Sequence, residues 1–180
     1  MGHREPPRLS TRRLVLRGFL DTDVEPLADM NADPEVMRYL GGARARDWSA
    51  ATIDRCRAQW DRLGYGRLAI EDAESHAFLG WVTIEPVERE AYADDVEIGW
   101  RLARAHWGRG VATEAAGAAL DWAFATLPVD RVLAIADPAN EGSIAVMRRL
   151  GMTHLATLRH DDGASTVWAL ARPASASPPA

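Results

Sequence analysis

Gly108 and Gly110 stand one residue apart, and an alanine-rich run follows them at once. A loop that turns into a helix in this way leaves the N–H groups of the first turn without helical partners, all pointing back along the axis. The helix dipole adds partial positive charge there, so the junction suits an anion, a phosphate above all. Glycines without Cβ atoms let a ligand come close to the backbone. The same pair can also do no more than turn the chain, and the spacing alone does not choose between the two readings. Two phosphate loops are excluded. No Gly-Lys-Ser/Thr follows, and Thr113 stands where a dinucleotide fingerprint needs its third glycine or alanine.

The elements around this loop must place it. Residues 95–102 alternate as a strand, and residues 131–136 form a second, mostly apolar one. A strand–loop–helix–strand unit is normally right-handed with parallel strands, and its ligand binds beyond the carboxyl end of the first strand. On that strand, alternation puts Val96, Ile98 and Trp100 on one face and Glu97, Gly99 and Arg101 on the other. Earlier, a strand around Leu14 and Leu16 precedes a helix over 24–31 that Asp21 or Thr22 is placed to cap. A helix over 48–63 buries Ile53, Cys56 and Trp60, and strands over 67–71 and 77–85 follow it. After the glycines, Ala116, Leu120, Ala123, Phe124 and Leu127 share one helix face, and Pro128 ends that helix. Asn140 caps a further helix closed by Gly151, and strands over 152–159 and 165–171 make a terminal hairpin around residues 161–163.

Composition bounds the function. The 180 residues suffice for one domain with a sizeable core, and 47% of them are apolar. The net charge of −5 and the absence of a basic run argue against nucleic acid as a direct partner. The single cysteine, Cys56, excludes an internal disulfide and a cysteine-rich metal site, and the histidines lack ligand spacing, so no metal is expected. No apolar run approaches the ~20 residues of a membrane span, which leaves the cytoplasm as the expected compartment.

Trp107-Gly108-Arg109-Gly110-Val111-Ala112-Thr113-Glu114-Ala115 resembles the acyl-CoA pyrophosphate loop of the GCN5-related N-acetyltransferases, most of all their RimJ/RimL-like branch. The superfamily pattern is Gln/Arg-x-x-Gly-x-Gly/Ala; this chain supplies Gly110 and Ala112 but carries Trp107 at the Gln/Arg position. A second match is Asn140-x-x-Ser143 followed by Leu150-Gly151-Met152, with Met152 in place of the usual aromatic residue. The resemblance covers residues 10–171. It implies a mixed α/β acyl-CoA N-acyltransferase fold, with two splayed parallel strands in a central sheet flanked by helices. The expected layout is a flexible lead-in over 1–9, an N-acetyltransferase domain over 10–172 and a disordered tail over 173–180. The implied activity moves an acetyl group from acetyl-CoA to a primary amine. That amine is a protein N-terminus or a small molecule such as an antibiotic or polyamine, and the enzyme is a monomer or homodimer. A non-catalytic acyl-CoA-binding module is the rival from another class.

Such a transfer needs an uncharged amine, a stabilised carbonyl oxygen and a proton for the departing thiolate. Glu97 is the candidate base, on the strand that runs into the loop and at a position where many relatives carry a functional acid. A solvent-facing glutamate, or one paired with Arg101, is the plain alternative. The resemblance puts Asn140 and Ser143 beside the thiol end of the coenzyme, with Ser143 as a proton relay; both residue types also suit helix capping. The tyrosine that many relatives use as the acid is missing, since none follows Tyr92. The resemblance further implies that backbone at Trp100 and Leu102 holds the pantetheine arm, with Gly99 easing a bend. The loop residues Trp107, Gly108, Arg109, Gly110, Val111, Ala112 and Thr113 complete the implied coenzyme site; Arg104, like Arg109, either meets coenzyme phosphates or is simply solvated, and His106 reads as a bystander.

Overall fold

Eight strands make one sheet in the order β1-β2-β3-β4-β5-β6-β8-β7, and one pair of neighbours, β5 with β6, runs parallel. The strands are β1 (Leu9–Ser10), β2 (Leu14–Arg17), β3 (Arg67–Asp72), β4 (Phe78–Pro86), β5 (Val96–Leu102), β6 (Arg131–Ala136), β7 (Thr153–His160) and β8 (Gly163–Ala171). Four helices accompany them: α1 (Val24–Ala32), α2 (Arg46–Leu63), α3 (Val111–Thr126) and α4 (Glu141–Arg149). This computed structural model describes residues 4–161 and 163–174, so the ends of the lead-in and tail, and Asp162 in the hairpin turn, lie outside the described residues. Among the described residues no helix is long and apolar enough to cross a membrane.

The parallel pair is short. Val96 pairs with Val132 and Glu97 with Leu133, and the ladder stops there. β5 continues to Leu102 against β4, while β6 continues to Ala136 against β8. The sheet therefore opens as a V beyond Glu97, with an unpaired edge of β5 on one side.

Each face of the sheet buries its own helices. Leu14, Leu16, Ile70, Val82, Ile84 and Ile98 pack against the small residues Ala115, Ala116, Ala119 and Ala123 of α3. Those alanines bring the helix close to the sheet, and Phe124 and Leu120 fill the wider end. On the other face Leu27 and Met30 of α1 and Ile53 and Cys56 of α2 cover Ala69 and Trp81. The stripe expected on α2 is buried as its spacing indicated.

Three local expectations change. Asp21 and Thr22 form a 3-10 turn ending at Asp23, and α1 starts at Val24 with Asp23 as its cap residue. The Asp23 carboxylate is taken by Arg17 at 2.7 and 3.0 Å and by the Leu20 N–H at 2.8 Å, so an ion pair sets the helix start. A close backbone approach on β5, unexpected from the sequence, is made by Gly80 of β4. Gly80 has φ +152, and a Cβ there would lie 2.1 Å from the Arg101 carbonyl oxygen. The third change is at the end of α3: Arg172, just beyond β8, donates to the carbonyls of Val129, Phe124 and Leu127, so the C-terminus of α3 is capped by a guanidinium as well as stopped by Pro128.

Candidate active site

A cleft of about 1020 Å³ occupies the V between β5 and β6. Its walls are β5, the start of α3, the start of α4 and the turn segment containing Tyr39. Of the residues singled out from the sequence, Glu97, Trp100, Leu102, Trp107, Gly108, Gly110, Val111, Ala112, Thr113, Asn140 and Ser143 all line it. Arg109 does not; its backbone carbonyl instead accepts a hydrogen bond from Arg13 Nη1 at 3.1 Å.

The glycine loop is built to present N–H groups. Gly108 and Gly110 both take left-handed φ values, +69 and +77, which glycine adopts at little cost. Gly110 is the N-cap of α3, and the first helical bond runs from Glu114 N–H to the Gly110 carbonyl at 3.0 Å. The N–H groups of Val111, Ala112 and Thr113 are thus left without helical acceptors at the cleft.

Side chains far away in the sequence brace this loop. Glu114 accepts from Thr11 Oγ1 at 2.6 Å, from the Arg13 N–H at 3.1 Å and from Arg13 Nε at 2.8 Å. Burial opposes its ionisation, but the hydrogen bonds from Thr11 and Arg13 outweigh burial and hold the carboxyl below the usual range. Trp107, in the position where the superfamily pattern has Gln or Arg, donates its indole N–H to the Leu102 carbonyl at 2.9 Å. That bond ties the loop to the end of β5.

Glu97 sits at the last paired position of the parallel strands, opposite Glu85 on β4. It is half-buried, and among the described residues its carboxylate has no hydrogen-bond or ion-pair partner. Burial, reinforced by the Glu85 charge, pushes its pKa up to about 7, against a smaller pull from Arg89. The alternative pairing with Arg101 does not form, because Arg101 donates to Asn31 Oδ1 at 2.6 Å. A carboxyl so poised holds or takes a proton near neutrality.

Across the cleft Asn140 caps α4, its Oδ1 accepting from the Ser143 N–H at 3.1 Å. This bond fixes the first turn and leaves the Ser143 hydroxyl half-buried against the cleft. The Tyr39 hydroxyl donates to the Ala139 carbonyl at 3.0 Å, linking the turn segment to the loop before α4. Burial, and then the Arg109 charge, lowers the His106 pKa, against a smaller pull from Asp72.

A splayed parallel pair, a loop of free N–H groups at a helix start and a carboxyl unpaired among the described residues suit a long phosphate-bearing ligand and a proton transfer. The family model for the acetyltransferase (GNAT) domain matches residues 13–153. The chain belongs to the GNAT acetyltransferase family. An uncharacterised protein of Bacillus subtilis, YkkB, is 33% identical over 153 residues, covering 84% of this acetyltransferase and 88% of YkkB. A crystal structure of an acetyltransferase from Agrobacterium tumefaciens is 31% identical, with a TM-score of 0.79 over 91% of this chain and 94% of that one. RimL, a ribosomal L7/L12 α-N-protein acetyltransferase solved with coenzyme A, shares the fold of this GNAT enzyme at a TM-score of 0.78 and 15% identity, covering 92% and 98% of the two chains.

The family uses acetyl-CoA, and the residues present fit that ligand. The free N–H groups at the start of α3 suit a pyrophosphate, and the unpaired β5 edge beyond Glu97 offers main-chain groups to an amide-bearing arm. Sequence reasoning missed the brace that Thr11 and Arg13 give Glu114, because its partners lie about a hundred residues apart. It also missed Glu85, although alternation along β4 puts Glu85 on the face that Glu97 shares.

Proposed function

We propose that this acetyltransferase acetylates an α-amine by direct attack within a ternary complex, with Glu97 as the base and Ser143 as the acid. Acetyl-CoA supplies an acyl group activated as a thioester. The N–H groups of residues 108–113 hold its pyrophosphate, and main chain at Trp100 and Leu102 meets the pantetheine arm. Glu97 removes a proton from the amine nitrogen as the C–N bond forms. The thioester C–S bond breaks, and Ser143, or water ordered by Ser143 and Asn140, donates a proton to sulfur. One acetamide and one thiol result, and solvent returns the proton held by Glu97 to the group that protonated sulfur, so atoms and charge balance.

The observation that carries this reading is the Glu97 carboxyl, unpaired at the fork of the parallel strands with a pKa of about 7. An α-amine with pKa ~7.8 matches such a base far better than a lysine amine at ~10.4. That match, together with the RimJ/RimL-like loop, favours a protein N-terminus over a polyamine as the acceptor, in the cytoplasm. A panel of peptides and small amines, assayed for thiol release from acetyl-CoA, tests it. Release that depends on an α-amine supports the reading. Tight acetyl-CoA binding without release for any amine would make the protein a binding module.

A further inference from the structure

Arg17, Ala69, Trp81 and Arg101 form one row across four adjacent strands. The two ends of this row are treated very differently. Arg17 is buried and meets two carboxylates, Asp23 at 2.7 Å and Glu71 at 2.5 Å. Arg101, at the cleft end, has no carboxylate partner among the described residues. Its one hydrogen bond there runs from Nη1 to Asn31 Oδ1 at 2.6 Å, and its Nε is buried without an acceptor. The charges that act on it most are two more cations, Arg67 and Arg44, and burial with these neighbours lowers its pKa to about 10.

A guanidinium offers five N–H donors, and burying a cation without a counter-charge is costly. Yet Arg101 is held carefully. Asn31, fully buried, donates from Nδ2 to Ser49 Oγ at 3.0 Å, which orients the Oδ1 that grips Arg101. The Trp81 ring lies 4.8 Å from the guanidinium carbon. Neutral groups therefore fix the guanidinium from behind and leave its charge uncancelled. Arg101 lines the same cleft as Glu97, on the same face of β5, with Gly99 between them. Four residues of strand put their Cα atoms ~13 Å apart. Beside Gly99, the buried Thr83 hydroxyl has no hydrogen-bond partner among the described residues and lines the cleft as well.

We propose that Arg101 is the subsite for an anionic oxygen group of the acceptor, so that the preferred acceptors are α-amines carrying a carboxylate several bonds from the nitrogen. This rests on the reading of Glu97 as the group that faces the acceptor amine. An acidic residue near a peptide N-terminus and a free amino-carboxylate offer the same chemistry to Arg101.

Matched pairs test the subsite: C-terminally amidated Ser-Glu against C-terminally amidated Ser-Gln, both with a free α-amine, for the peptide source, and isoglutamine against glutaminamide for the small molecule. Rates are compared at equal concentrations of uncharged amine. Wild-type kcat/KM for the acidic member should exceed that for the amide about 10- to 100-fold in at least one pair, chiefly through KM, as a charge-assisted hydrogen bond gives. The pair that shows the preference identifies the source. Arg101→Gln should bring the ratio near one with acetyl-CoA affinity unchanged. Asn31→Asp, which places a carboxylate against the guanidinium without changing shape, should do the same even where Arg101→Gln does not fold. Equal kcat/KM within both wild-type pairs would overturn the subsite while leaving α-amine acetylation intact. A preference that survives Asn31→Asp would also overturn it. No thiol release with any member of either pair would remove this proposal and the proposed function together.

Discussion

Glu97→Gln separates the electrostatics of the fork from its shape. Folding raises the Glu97 pKa from 4.5 to about 7, mainly by burial. The folded state therefore holds a proton that the unfolded chain releases, so stability falls as pH rises between those two values and is level above the folded pKa. At about 1.4 kcal/mol per pH unit the loss is about 3 kcal/mol in all, of which about 2 kcal/mol falls between pH 5 and pH 8. The glutamine variant has no such proton to lose. For a domain of this size about 1 kcal/mol moves Tm by ~2–4 °C, so the drop in Tm from pH 5 to pH 8 should be smaller in the variant by roughly 4–8 °C. Differential scanning calorimetry at the two pH values measures this directly. In the same variant, turnover at neutral pH should fall ~10²-fold and recover partly at high pH, where more of the amine is already neutral. Superimposable Tm–pH curves for the two proteins would refute the buried, protonated carboxyl; a wild-type pH–rate profile in the variant would remove Glu97 from proton transfer.

Gly110→Val places a β-branched residue at φ +77, where the left-handed conformation costs it at least ~1–2 kcal/mol and the added Cβ stands 3.5 Å from Arg13 Nη2. Calorimetry on the folded variant should find acetyl-CoA affinity reduced more than ~10-fold, and an unchanged Kd contradicts the loop assignment. Ser143→Ala should lower kcat by ~10²-fold with little change in acetyl-CoA affinity if the hydroxyl protonates sulfur; single-turnover kinetics showing only a small loss would assign that proton to water. Asp23→Ala leaves the buried Arg17 with one carboxylate and should cost about 3 kcal/mol in urea unfolding. A loss under about 1 kcal/mol would place Arg17 in contact with solvent.

The parts legible from sequence were those whose signal is local. Alternation over Val96, Ile98 and Glu97 located β5 and its cleft face, and the Gly108/Gly110 pair with the alanines behind it marked the loop and α3. Asn140 and Ser143 announced a helix start, and the structure indeed joins them by a capping bond. What escaped was set by distant partners. Arg13 and Glu114 are 101 residues apart, and Arg101 and Asn31 are 70 apart, so neither pair leaves a periodic trace. Asp21 and Thr22 looked like helix caps, and Asp23 was passed over because the buried Arg17 that claims its carboxylate lies on another element. Gly80 gave no signal as a point of close approach, because only the strand register sets it against Leu102.

The bracing of Glu114 by Thr11 and Arg13 also has a temporal side. The two braces leave the ribosome about a hundred residues before the carboxylate they hold. At ~5–20 residues per second, the first strand waits on the order of 5–20 s for its partner during synthesis. The glycine loop is consequently braced only once both segments are made, and its bracing reports that the two distant segments have met. The relation runs both ways. A ligand held by the loop also holds the N-terminal strand, so saturating acetyl-CoA should slow amide exchange at Leu14 and Leu16, remote from the ligand in sequence. A trimmed chain that starts after Arg13 would keep the Glu97 carboxyl and lose the clasp.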